Sequence, residues 1–279
     1  MSTLSLSPAR QKFWHISRLP EAEMNTEHLV EAALAIAWEE QPRIDLGHYR
    51  DQLDRMGTEL KLRIQDMIYP LKVIKEINQY LFVEQKFRGN ENDYYNPRNS
   101  FITDVIDRRT GIPITLSVVY MAVGARIGFP LEGVSLPGHF IIRPQRQDVS
   151  VFIDPFAGGE ILFEEDCAIR LAQVYGQNIK LETEYLQPVG TRRILERMLM
   201  NLKQIYLRQS EFDKALAAVE RVLMLYPDHP IQLRDRGLLC YQLERYTEAL
   251  FDLETYLDKT PEAEDSKLIS KLIMEIENL

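Results

Sequence analysis

The sequence predicts an α+β domain, with helices first and a small antiparallel sheet after them, followed by an all-α repeat array. Three observations carry this reading. Apolar residues recur at helical spacing between Leu29 and Phe82, three short strand-like runs crowd together between Leu131 and Asp154, and from about Arg192 onward the chain repeats itself every 34 residues. Helices followed by adjacent short strands are the order expected when helices and an antiparallel sheet segregate within one domain. The expected division is an N-terminal arm over 1–24, the α+β domain over 25–188 and the repeat array over 192–279.

Residues 1–24 read as a mobile arm or a loosely docked lead-in. Leu29, Ala32, Ala33, Ile36 and Ala37 then share one helix face, with Thr26 as N-cap and Pro42 as the stop. A second helix is expected over about Leu46–Ile68, with Leu53, Met56, Leu60 and Ile64 on one stripe, interrupted at Pro70. A third runs over about Leu71–Val83. Residues 88–100, RGNENDYYNPRNS, have turn chemistry, and Tyr94 and Tyr95 make them a packed loop. A short helix, Phe101–Asp107, leads through a turn at Arg108–Pro113 into an apolar helix over 114–127, which Gly128 and Pro130 end. Strands follow at Leu131–Ser135, Phe140–Arg143 and Val149–Asp154, then a helix at Glu164–Tyr175 with Leu171 and Val174 expected to face inward.

The C-terminal pattern is a repeat in register. Phe212 matches Tyr246, Ala215 and Leu216 match Ala249 and Leu250, Leu223 matches Leu257, and Pro227 matches Pro261. Each offset is 34, the tetratricopeptide period. Alanine lets paired helices cross closely, and proline ends the second helix because it cannot continue the hydrogen-bond ladder. Gly237 fills another small-residue position, where the first repeat has Lys203. Two repeats, about 196–229 and 230–263, are expected, with a final helix over 265–278 as a cap. Such arrays do no chemistry; they hold partner segments, so a protein or peptide partner is expected.

Bulk properties narrow the function classes. Hydrophobic residues are 45% and charged residues 27%, enough apolar material for a folded core. The formal net charge of −9 argues against non-specific binding to nucleic acid or to an anionic membrane. The longest apolar run, Ile112–Ile127, is broken by Arg126 and is shorter than the roughly 18–20 residues a membrane span needs. No secretory signal is visible over Met1–Arg18, and two cysteines cannot build a disulfide framework, so a cytoplasmic location is expected. The five histidines are dispersed and Gly158-Gly159 lacks the context of a phosphate loop, so neither a metal nor a cofactor is expected.

Candidate chemistry lies between Gly111 and Phe156. His139 follows Pro137-Gly138 at a strand start, and Asp154 ends a neighbouring strand. If the two strands are adjacent and antiparallel, imidazole and carboxylate can meet. The carboxylate then fixes the tautomer and leaves the other ring nitrogen as a base; a structural hydrogen bond is the alternative.

The stretches FRGNENDYYNPRNSFITDVIDRRTGIPITLSVVY, GVSLPGHFIIR and FIDPFAGG resemble the transglutaminase-like superfamily, whose fold is papain-like. The closer resemblance is to the bacterial SirB-type proteins, which join this domain to tetratricopeptide repeats; a similar domain also appears in some F-box proteins. The resemblance implies a nucleophile–His–Asp triad in which His139 and Asp154 match the last two members. Gly111-Ile112-Pro113 falls at the Gly-x-Cys of the pattern, so Pro113 stands at the nucleophile position. Proline carries no nucleophile, yet its fixed φ suits a first helical turn. Thr115 and Ser117 are the alternative nucleophiles, unless they serve only as capping or backbone-bonding hydroxyls. Cys167 follows three acidic residues, which raise a thiol pKa, and Cys240 falls on a repeat packing face. Asn96, Arg98, Asn99 and Ser100, joined by Arg108 and Arg109, resemble the subfamily's own polar motif. They are expected either to line a binding pocket with His139 or to satisfy loop backbone groups.

Three functions follow as expectations: a non-catalytic adaptor that binds protein through its vestigial cleft and its repeats, an atypical hydrolase or acyl transferase using Thr115 or Ser117 with His139 and Asp154, or a regulator whose cleft senses a small ligand.

Overall fold

The computed structural model describes residues 6–278 apart from 66, 147–148 and 177–179. The chain forms two compact units that divide after Met198.

The first unit opens with α1 (Pro8–Ser17), started by the Ser7 side chain accepting the Arg10 N–H. Its described part is not the loosely held arm expected from sequence: Phe13 and Ile16 are buried, and α1 packs along α2 (Thr26–Glu40). The apolar residues of α1 are few, which is why its periodicity is weak. Asn25, not Thr26, caps α2: its side chain accepts from His28 N, and the His28 ring accepts from Asn25 N, so two donors are satisfied reciprocally. Leu29, Val30 and the run Ala32–Ala37 are all buried, which makes α2 a central helix.

Helix α3 (Leu46–Arg63) ends short of the expected Ile68, and Pro70 does not interrupt a helix but begins one, α4 (Pro70–Asn78). The missing N–H of proline costs nothing at the first helical position. A π-helical turn, Gln79–Glu84, continues from α4. Helix α5 (Ile102–Arg108) ends at Arg109, whose φ of 55° turns the chain sharply. Helix α6 (Pro113–Arg126) is buried continuously from Pro113 to Gly124.

Two sheets accompany these helices. A two-stranded parallel pair joins β1 (Arg88–Gly89) to β2 (Thr110–Gly111). The larger sheet contains β3 (Leu131–Val134), β4 (Ile141–Pro144), β5 (Phe152–Asp154), β6 (Glu160–Leu162) and β7 (Pro188–Val189). Its order is β6-β5-β4-β3-β7, antiparallel at every pairing. The sequence reading misses β1, β2, β6 and β7, each too short to show an alternating pattern. Helix α7 (Glu164–Tyr175) follows β6, and Cys167 on it joins Val134, Leu136, Ile141, Phe152 and Leu162 in one apolar cluster.

The division between units falls within α8 (Thr191–Arg208). The second unit continues with α9 (Phe212–Leu225), α10 (Pro230–Gln242), α11 (Tyr246–Lys259) and α12 (Ser266–Glu277). Its backbone repeats as its sequence does. Ser210 and Glu244 both take φ 58°, and each is followed by an N–H that reaches five residues back, from Glu211 to Tyr206 and from Arg245 to Cys240. Ala215 and Ala249 are fully buried. A Cβ on Gly237 would come within 2.8 Å of Leu253, so glycine is what lets α10 and α11 approach. Lys203, at the equivalent place in the first repeat, is buried, and its ammonium donates to Asp235 at 2.6 Å and Gln232 at 3.4 Å.

Candidate functional site

β4 and β5 set the site. Ile142 pairs with Ile153, so one step along the register sets Ile141 opposite Asp154, and His139 lies just beyond, at the strand entrance. The Pro137-Gly138 turn delivers it there: Gly138 takes φ 70°, and the His139 N–H donates to the Leu136 carbonyl at 3.2 Å. His139 Nε2 lies 2.8 Å from Asp154 Oδ2. An ionised carboxylate only accepts, so this bond places the imidazole proton on Nε2 and leaves a lone pair on Nδ1. Among the described residues no side chain or backbone group hydrogen-bonds Nδ1.

Asp154 is wholly buried and well compensated. Its Oδ1 accepts the backbone N–H groups of Phe156 at 3.0 Å and Ala157 at 3.3 Å. Arg170 Nε lies 3.3 Å from Oδ2, while the far end of that guanidinium donates to Glu160 at 2.5 Å. A buried carboxylate needs such partners to remain charged. Arg170 is therefore part of the site, although no sequence pattern marks it: it lies in mid-helix, sixteen residues past Asp154.

The loop after Asp154 is held from below. Gly159 takes φ 80°, and its carbonyl accepts from Asn78 Nδ2 at 2.6 Å. Tyr120 on α6 donates to Asn78 Oδ1 at 3.0 Å. The helix that opens at Pro113 is thereby tied to the loop that places Asp154. Above, Phe156 meets the His139 ring edge-on at 6.2 Å and the Tyr94 ring at 6.1 Å. Gly89 on β1 makes room for Phe156, since a Cβ there would fall 2.7 Å from its ring.

Pro113 is the first residue of α6. Thr115 Oγ1 is buried; it donates to the Asn99 carbonyl at 2.7 Å and accepts the Ile112 N–H at 3.2 Å. Ser117 Oγ is buried with no hydrogen-bond partner among the described residues. Neither hydroxyl hydrogen-bonds His139.

The polar residues expected to gather around His139 do not form one network with it. Asn99 organises the loop: its Nδ2 donates to the carbonyls of Asp93 and Tyr94, and its Oδ1 accepts from Asn90 and, at 3.4 Å, from Arg108. Asn96 caps the single turn at Pro97–Asn99 and bonds Asp93. Arg98 is taken by Asp104 at 2.5 Å. Arg109 stacks over Phe87 at 4.8 Å, and burial holds its guanidinium below the ordinary arginine pKa. The Ser100 hydroxyl is buried without a partner. Arg98 and Arg108 are thus engaged within the loop, Arg109 keeps a buried Nη1 without a hydrogen-bond partner among the described residues, and none of these side chains hydrogen-bonds His139.

A basic residue not anticipated from sequence stands beside His139. Arg197 on α8 donates through Nη1 to Ser135 Oγ at 2.7 Å and to the Leu136 carbonyl at 2.8 Å, with its guanidinium 5.6 Å from the Phe140 ring. Burial lowers its pKa.

Neither cysteine is placed for nucleophilic work. Burial, with Asp166, Glu164 and Asp154 nearby, pushes Cys167 up to about 12, and burial pushes Cys240 up to about 11. Among the described residues no group of three His, Cys, Asp or Glu side chains could hold a metal ion, and no helix is long and apolar enough to cross a membrane.

Residues 47–200 match the transglutaminase-like superfamily, and residues 202–274 match the tetratricopeptide repeat. A UPF0162 protein of Xylella fastidiosa (strain Temecula1) is 34% identical over 266 residues, covering 94% of both chains. A UPF0162 protein of Vibrio cholerae is 29% identical over 252 residues, covering 90% of this chain and 93% of the relative. F-box only protein 21 of Mus musculus is 30% identical over 193 residues, 65% of this chain and 30% of that one. Among solved structures, one of menin, described as revealing its binding site for the Mixed Lineage Leukemia protein, overlays with a TM-score of 0.41 at 10% identity, over 90% of this chain and 70% of that chain. The chain belongs to the transglutaminase-like superfamily, and it carries that domain followed by tetratricopeptide repeats.

Proposed function

We propose that this chain is a non-catalytic protein-binding module: a transglutaminase-like cleft that holds a peptide segment without cleaving it, joined to a repeat array that engages protein, and acting as an adaptor or regulator in the cytoplasm. The observation that carries the reading is the chemistry at the head of α6. Pro113 stands where the superfamily's pattern places its thiol, and the nearest hydroxyl, Thr115, is spent on Asn99 and Ile112. His139 and Asp154 keep a base with nothing bonded to it for activation. A ring nitrogen with a free lone pair still serves binding, because it accepts a peptide N–H. Matches to tetratricopeptide repeats support protein as the partner class.

The test pairs two measurements on the purified full chain. Hydrolysis and transamidation are assayed with glutamine-containing peptides and peptide esters, and partner capture is assayed by crosslinking and mass spectrometry in the native cell extract. The expected result is no turnover and a defined partner set. Turnover that disappears in His139→Ala overturns the proposal. The second reading, an atypical hydrolase, is favoured by one observation, the unpartnered buried hydroxyl of Ser117; it requires that turnover also vanish in Ser117→Ala.

A further inference from the structure

We infer that Arg197 forms a subsite for a single carboxylate of the peptide held in the cleft beside His139. This rests on the protein-binding reading above and names what the cleft recognises.

Arg197 is anchored to the turn that delivers His139: the Leu136 carbonyl accepts both the backbone N–H of His139 and Arg197 Nη1. Arg197 spends both Nη1 hydrogens on protein, one on Leu136 O and one on Ser135 Oγ. The Nε/Nη2 edge, the fork that grips a carboxylate with two parallel bonds, has no protein acceptor among the described residues. The guanidinium is fixed by those two bonds and by the Phe140 ring, so little freedom remains to be lost on binding.

No described carboxylate neutralises this cation. The charged and titratable groups acting on it are Tyr94, Arg193 and Tyr175, and none is an anion at neutral pH. Arg193 is itself paired to Glu196 at 2.7 Å. A partly buried cation without a counterion is costly, and a bound anion removes that cost. One uncommitted cation matches one negative charge, which favours a carboxylate over a phosphate dianion.

The experiment follows the Arg197 Nε–H signal of the 15N-labelled full chain by NMR during titration with acetyl-tetraalanine bearing a free C-terminus. Matched arms use the C-terminally amidated peptide, the amidated peptide with one internal aspartate, and inorganic phosphate. The free-acid or the aspartate peptide shifts the signal saturably while the fully amidated peptide does not, and the stronger of the two names the carboxylate's source. Arg197→Lys, which keeps charge without the fork, weakens that binding about tenfold, and Arg197→Gln weakens it further. Equal binding of amidated and free-acid peptides, tighter binding of phosphate, or unchanged affinity in Arg197→Gln overturns the inference. Should a variant fail to fold, the contrast between peptides on the unsubstituted chain still decides. Cleavage of any peptide would count against the non-catalytic reading alone, and the carboxylate dependence would stand or fall separately.

Discussion

Arg170 and His139 share one oxygen of Asp154: Arg170 Nε lies 3.3 Å and His139 Nε2 2.8 Å from Oδ2, on a carboxylate with no exposed surface. The imidazole is therefore aimed by a carboxylate that is itself aimed by a second helix, α7. Asp154→Ala leaves a half-buried guanidinium edge, two backbone N–H groups and an imidazole without their acceptor. Breaking a buried charged pair from one side costs about 3–5 kcal/mol, and a loss of that order is expected in urea unfolding. Trp14 and Trp38 both lie in the first unit, so tryptophan fluorescence reports that unit. A loss below about 1 kcal/mol would mean that the carboxylate is not held as described.

Gly159 is the most substitution-sensitive position of the loop that carries Asp154. Its φ is 80°, and a Cβ there would collide with Asn78 Oδ1 and crowd Phe82. Gly159→Ala is expected to cost about 1 kcal/mol for the left-handed backbone and more for the displaced Asn78, roughly 2–4 kcal/mol in all. Neighbouring Gly158, with φ 68° and open space around it, is expected to cost only the backbone part. The ratio of the two losses, from matched urea curves, separates collision from backbone strain.

The strong periodicities made much of this fold legible before any coordinates. The apolar run of α6, the strand-length runs around His139 and the 34-residue offset all report burial that repeats at a fixed spacing. The His139–Asp154 pairing was readable because one strand register sets it. What escaped was long-range or very short. Arg170 and Arg197 reach the site from mid-helix positions whose local patterns are those of ordinary amphipathic helices. The polar loop misleads for the opposite reason: Arg98 looks like a binding residue in sequence, and only the fold shows Asp104 already occupying it, while Arg109 is buried against the Phe87 ring. The α1 helix is faint in the sequence because Phe13 and Ile16 alone supply its large buried contacts.

Both thiols are expected to be silent in the native protein. Cys167 is raised from 9.0 to about 12 and Cys240 from 9.0 to about 11, in each case chiefly by burial. At pH 8 almost no thiolate is present, and a disulfide reagent needs the thiolate. Ellman's reagent should therefore register no fast thiol in the folded chain and two after denaturation. The same shifts set a direction for alkaline stability. Above the ordinary value the unfolded chain releases thiol protons that the folded chain retains, so stability is full below about pH 9 and declines as pH rises towards about 11–12. Replacing both cysteines by alanine should flatten that alkaline decline, read as the difference between the two urea midpoints against pH.

Acid sensitivity of the repeat unit is expected to centre on Asp265. This residue precedes α12 and ties it to both helices before it: Tyr256 on α11 donates to Oδ1 at 2.6 Å, and Arg234 on α10 donates to Oδ2 at 2.8 Å. The Tyr256 hydroxyl first, and Arg234 after it, hold the carboxyl below its ordinary 3.8. A depressed folded value means the unfolded chain takes up the proton first. The contribution is therefore complete above the ordinary aspartate value and is lost as pH falls through the lower, folded one. Asp265→Asn keeps an acceptor for Tyr256 but removes the titration and the charge facing Arg234. The expected result is a lower far-UV circular dichroism urea midpoint at neutral pH for the variant, with the gap to the unsubstituted chain closing below about pH 4. A gap that stays constant down to about pH 2.5 would show that Asp265 acts through shape alone, with no charge linkage among α10, α11 and α12.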